Sequence, residues 1–185
     1  LRDSNEAALS MRSATIGGNV ELLPGQGHRC EEHGEVSMTA AHITGDLDCG
    51  SAFLFNPGGR ALHCEDLVVE SVFLARHDLE IPFQACGRLN FLTATVGGSF
   101  FVTNARLCPG PDYTGLIGKG GPVAMNLQQM RISNALIMFN VGAMEPGDET
   151  QQTDVIKPVE GWFMLAGVQM NTLLLHVGTG WPAPG

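Results

Sequence analysis

The sequence predicts an all-β protein, a single-domain parallel β-helix of about six irregular coils, expected to be right-handed. Three observations predict it. The stretch Val36 to Cys49, VSMTAAHITGDLDC, places apolar side chains at its first, third, sixth, eighth and twelfth positions (Val36, Met38, Ala41, Ile43, Leu47). The same spacing returns five times, as LSMRSATIGGNVEL from Leu9, LHCEDLVVESVFLA from Leu62, LNFLTATVGGSFFV from Leu89, MNLQQMRISNALIM from Met125 and FMLAGVQMNTLLLH from Phe163. The tenth column is small or turn-prone throughout, reading Gly18, Gly45, Ser71, Gly98, Asn134 and Thr172.

Within a rung the spacing fits two short strands of period two separated by a one-residue offset, then a turn at the tenth column before a third strand. A helix would require contacts at i, i+3, i+4 and i+7, which this order never reaches. Recurrence of one unit is the mark of a solenoid, whose coils bury their apolar face only by stacking. Rung starts lie 27, 26, 27, 36 and 38 residues apart, which excludes hexapeptide and pentapeptide helices. The column Ile16, Ile43, Val69, Val96, Ile132 and Met170 is therefore expected to form one line inside the fold.

Residues 1–8, including RDSNEAA, read as a short helix or capping segment, and residues 9–176 as the solenoid. The segments after the first three rungs are long enough to add one more strand per coil. In the second of these, Asn56-Pro57-Gly58-Gly59 reads as a turn whose glycines take positive φ. Two longer segments, 108–122 with Tyr113 and 144–162 with Trp162, read as exposed loops and candidate partner surfaces. Residues 177–185 form a tail in which Trp181 is expected to cap the last coil or to form half of an interface. An uncovered coil would expose about five apolar side chains at roughly 1.5–3 kcal/mol each, together with unpaired strand groups.

A length of 185 residues and 44% apolar content suffice for one continuous core. The net charge of -9, with only 10 Lys and Arg, argues against direct nucleic-acid binding, because neutralising phosphates needs bases. No apolar run reaches the roughly 18 residues that span a bilayer, so no transmembrane segment is expected. Of the five cysteines, Cys49 and Cys64 fall in inward columns while Cys30, Cys86 and Cys108 lie in connecting segments. That irregular spacing gives no disulfide framework, and a reducing, cytoplasmic setting is expected.

No catalytic residue can be assigned from motifs. The cluster His28-Arg29-Cys30-Glu31-Glu32-His33 lacks the second ligand pair that tetrahedral zinc needs, so no metal is expected. Neither Thr95-Val96-Gly97-Gly98 nor the glycine-rich run 115–121 opens a helix, so no dinucleotide or other cofactor is expected. His42 and His63 fall between apolar columns and should point outward, while His77 and His176 sit at rung ends. Asp46, Asp48, Glu65, Asp66 and Glu70 fall on adjacent rungs and could form an acidic stripe, which would either keep a flat sheet face solvated or imitate the phosphates of DNA.

The run from Gly34 to Leu107 resembles the bacterial proteins that carry the label membrane-associated oxidoreductase. Their GEVRL stretch is answered by Gly34-Glu35-Val36, and their A-x-I-G-G-x-L-x-C rung by Ala41 to Cys49. Their NPxGxAL turn matches Asn56 to Leu62, and their AL-x-AD-x-L-x-V rung matches Ala61 to Val69, with Glu65-Asp66 in the acidic place. The resemblance implies a β-solenoid of bacterial origin and an oxidoreductase label; its motifs set turns and core columns and carry no catalytic residue across. The expected role is a noncatalytic scaffold or protein-interaction module. Its partner would be another protein, or a second copy met through the coil ends. The alternatives are an acidic DNA-mimic inhibitor of a nucleic-acid enzyme, and a redox or carbohydrate-active enzyme with a site beside the long loops.

Overall fold

A computed structural model describes residues 7–23, 30–74, 82–110, 123–143 and 162–176. Every strand in them joins one curled sheet by parallel pairing, as a parallel β-helix requires. Parallel register runs through the first column as Leu9, Val36, Leu62, Leu89, Met125 and Phe163, giving six stacked coils. The eighth column stacks likewise, pairing Ile16 with Ile43, Val69 with Val96, Val96 with Ile132, and Ile132 with Met170. Its middle four members are at most 3% exposed. Successive rungs thus bury the same five columns against one another, which is why the spacing recurs.

Each coil carries up to four strand segments. The second coil supplies Glu35–Ser37, His42–Ile43, Leu47–Asp48 and the start of Phe53–His63. Connecting segments do provide the fourth, in Glu31–His33, Phe53–His63 and Phe83–Asn90. In later coils the corners flatten: Phe100–Cys108 runs through two segments and Arg131–Ala143 through three.

The offset between the third and sixth columns has a single backbone cause. The fifth residue of every rung is left-handed: Ser13, Ala40, Asp66, Thr93 and Gln129 at φ between 53° and 59°, and Gly167 at 74°. Each closes a turn, as when the Ala41 N–H donates to the Met38 carbonyl at 3.1 Å. Non-glycine residues resist this region by about 1–2 kcal/mol. Stacking offsets that cost, since the left-handed N–H donates to the next coil, Ala40 to Glu65 at 2.8 Å and Thr93 to Gln128 at 3.0 Å. At the tenth column, a Cβ added to Gly45 would sit 2.9 Å from the Gly18 carbonyl carbon, so close stacking itself keeps that position small.

Four expectations change. Counting from the rung start puts Phe73 and Leu174 in the twelfth column, but Val72 pairs with Leu47 and Leu173 with Leu136. The third and sixth rungs are one residue shorter between their eighth and twelfth columns. Displaced outward, Phe73 stacks on Phe101 with ring centroids 4.8 Å apart. Ala7 and Ala8 belong to a strand, Ala7–Ser10, paired with Glu35–Ser37, so the solenoid begins before Leu9. Gly58 and Gly59 do not take positive φ; they lie inside Phe53–His63, where the Asn56 amide donates to the Arg60 carbonyl at 2.8 Å. The positive-φ corner glycines are instead Gly34 and Gly87. Finally, Cys108, expected at the start of the loop 108–122, is the last residue of the strand Phe100–Cys108.

Candidate functional site

In the second to fifth rungs the second position carries polar side chains that alternation places outward, yet they are buried. Ser37, His63, Asn90 and Asn126 stack in register, each under 5% exposed. Polar groups without water need partners, and this ladder finds them: the Asn126 amide donates to Asn90 Oδ1 at 2.9 Å, and Asn126 Oδ1 accepts from the Gln128 N–H at 3.0 Å.

His63 is the centre of the richest side-chain cluster among the described residues; it points away from the core as expected but is buried, not a surface imidazole. Its Nδ1 lies 3.2 Å from Glu35 Oε1 and 3.3 Å from Thr39 Oγ1, while Nε2 lies 3.2 Å from Glu65 Oε2. Arg60 Nε donates to the other Glu35 oxygen at 2.9 Å, and Ser37 Oγ meets Thr39 Oγ1 at 3.2 Å. Burial alone would raise the Glu35 carboxyl, but hydrogen bonds from His63 and Arg60, with their charges, overturn it and hold the group down at about 2.

Thr39, His63 and Glu65 have the outline of a nucleophile, base and orienting acid. Both ring nitrogens are engaged by carboxylates, Nδ1 by Glu35 and Nε2 by Glu65, so Thr39 shares Nδ1 with Glu35 instead of facing a free ring nitrogen. The imidazole itself is buried, at 4% exposure. The cluster ties the second coil to the third.

The acidic residues do not form one continuous stripe. Asp48 is 2% exposed and accepts from the Gly50 N–H at 2.9 Å, fixing a corner of the second coil. Asp46 is half-buried, Glu65 belongs to the His63 cluster, and Asp66 accepts from Thr93 Oγ1 at 2.6 Å. Asp66 and Glu70 are exposed, as is His42. Tyr113, Trp181 and His77, with nearly all of both long loops, lie outside the described residues, and Trp162 is placed only as the first residue of Trp162–Met164. A recess of about 190 Å³ beside Thr103, Asn104, Phe139 and Asn140 is smaller than the roughly 300 Å³ at which ligand pockets begin.

The open feature is the end of the stack. Leu173 and Leu175 stand in register with Leu136 and Met138, which are 0% and 3% exposed, yet are themselves 44% and 37% exposed. Leu174 is 53% exposed and Phe139 36%. Among the described residues, Gln169–His176 pairs only with Arg131–Ala143, and no described strand lies along its outer edge. At the other end Leu9, Met11 and Ile16 are half-buried where their second-coil counterparts are sealed. Sequence reasoning anticipated exposed coil ends in general but could not say which leucines would be uncovered.

No protein-family model, no curated protein and no solved structure matches this chain.

Proposed function

We propose that the protein is a noncatalytic β-solenoid interaction module that associates end-on, through its last coil, with a β-strand of another protein or of a second copy. One observation carries this reading: side chains that fill the core in the fifth coil are open in the sixth, beside a strand edge that no described strand pairs with. An edge of this kind adds strands through backbone hydrogen bonds, while apolar side chains beside it supply burial. A second copy suits it, because the first coil offers a complementary parallel edge with half-buried Leu9, Met11 and Ile16. Such a contact is head-to-tail and grows with concentration.

The test compares the wild-type chain with the Leu173→Glu, Leu175→Glu double variant, by sedimentation velocity over a concentration series and by pull-down. Both positions are open enough for a carboxylate to stay hydrated, so folding is expected to survive. The expected result is concentration-dependent association, or capture of a protein partner, that the double variant loses. Identical behaviour of the two proteins in both assays would refute the reading.

A further inference from the structure

We propose that Cys86 and Cys108 form a reversible thiol–disulfide site joining two successive coils, oxidised by a peroxide and restored by a small dithiol. The two residues are direct partners in the parallel register between Phe83–Asn90 and Phe100–Cys108. Neighbouring strands lie about 4.8 Å apart, inside the 4.4–6.8 Å window of Cα separations that a disulfide spans. Both cysteines sit outside the main core, in a separate cluster with Phe53 and Phe55, at 0% and 5% exposure.

Position sets this pair apart from the other three cysteines. Burial pushes the Cys49 and Cys64 thiols up within the main core, and burial beside Glu32 pushes up Cys30. Cys108 is the slightly exposed member and Cys86 is fully buried, so the peroxide meets Cys108 first; its Cys86 neighbour also draws the Cys108 thiol down. Cys108 attacks the peroxide, forming an S–O bond as the O–O bond breaks, and the departing hydroxide takes a proton to become water. Cys86 then attacks the Cys108 sulfur, forming S–S and expelling the second oxygen, which leaves as water with the Cys86 proton. Two thiols and one hydrogen peroxide give one disulfide and two waters. A small dithiol returns the pair to two thiols by thiol–disulfide exchange, itself becoming a disulfide.

The full chain is treated in its native state with a small excess of hydrogen peroxide, then denatured, alkylated with a maleimide and mapped by proteolysis and mass spectrometry. Alkylatable cysteines should fall from five to three, with a Cys86–Cys108 linked peptide about 2 Da lighter than its two reduced halves. Dithiothreitol should restore all five. Cys86→Ser should stop the reaction at a Cys108 sulfenic acid that dimedone traps, and Cys108→Ser should abolish both products. Because the wild-type map decides the matter alone, a variant that fails to fold does not. Five alkylatable thiols after peroxide, or a bridge between any other cysteines, would overturn the proposal.

Discussion

Glycine placed at two adjacent alanines of the second coil should act in opposite directions. Ala40 is exposed at φ 53°, in the left-handed position that recurs in every coil, while Ala41 is 1% exposed in the sixth column. Removing the β-carbon at Ala40 relieves at most about 1–2 kcal/mol of backbone strain. The extra freedom of glycine in the unfolded chain takes back about 0.5–1 kcal/mol. Ala40→Gly should therefore stabilise by about 0.5–1 kcal/mol, raising Tm by roughly 1–3 °C for a chain of this size. Ala41→Gly has no strain to relieve. It loses a core methyl worth about 0.8 kcal/mol as well as the same backbone entropy, and Tm should drop by roughly 3–7 °C. Gly167→Ala is the reciprocal case: an added Cβ would meet only Gln129, at 3.4 Å and beyond, so its cost is the φ of 74°. That cost is about 1 kcal/mol, or roughly 2–4 °C. Scanning calorimetry at fixed pH and concentration reads all three. A fall in Tm for Ala40→Gly matching that for Ala41→Gly would refute the stacked left-handed turn.

Ile43→Ala, at 1% exposure in the middle of the eighth column, should cost about 3–4 kcal/mol, read as a lower urea midpoint with an unchanged slope; a loss below about 1 kcal/mol would mean that the column is not packed. Acid should act through Glu35, whose folded value of about 2 lies below its ordinary 4.5. The folded state then binds fewer protons, so the contribution is complete above pH 4.5 and is lost as pH falls through about 2. Discounted for the partial exposure of Arg60 and the carboxylate, it amounts to about 1–2 kcal/mol. Glu35→Gln should flatten that part of the stability-against-pH curve, and an unchanged slope would remove Glu35 from the cluster.

The fold was legible because it rests on repetition. Inward columns are read off any one rung and checked against the others, and Val36, Met38, Ala41, Ile43 and Leu47 are all at most 1% exposed. Counting failed where a rung changed length: nothing in SVFLA distinguishes Val72 from Phe73 as the core residue until the neighbouring coil fixes the register. The Gly58-Gly59 misreading has a similar origin. Glycine permits positive φ without requiring it, whereas the left-handed turn fell on Ser13, Ala40, Asp66, Thr93 and Gln129, residues with no such signature. Only their common place, two residues past the third column, could have marked them.

The candidate sites were less legible because alternation assigns two faces and says nothing of what lies over the outer one. His63 obeys the period, pointing away from the core, and is still buried, because Glu35, itself held by Arg60, and Glu65 reach it from sequence positions that no motif connects. Its burial turns a side chain with catalytic potential into a coil-to-coil tie. The last coil shows the converse. Leu173 and Leu175 take the inward register positions of Leu136 and Met138 and are open because no described strand lies beyond them. A residue's chemistry in this solenoid is therefore set by which coil it occupies as much as by which column, and the sites worth altering are those where the two disagree.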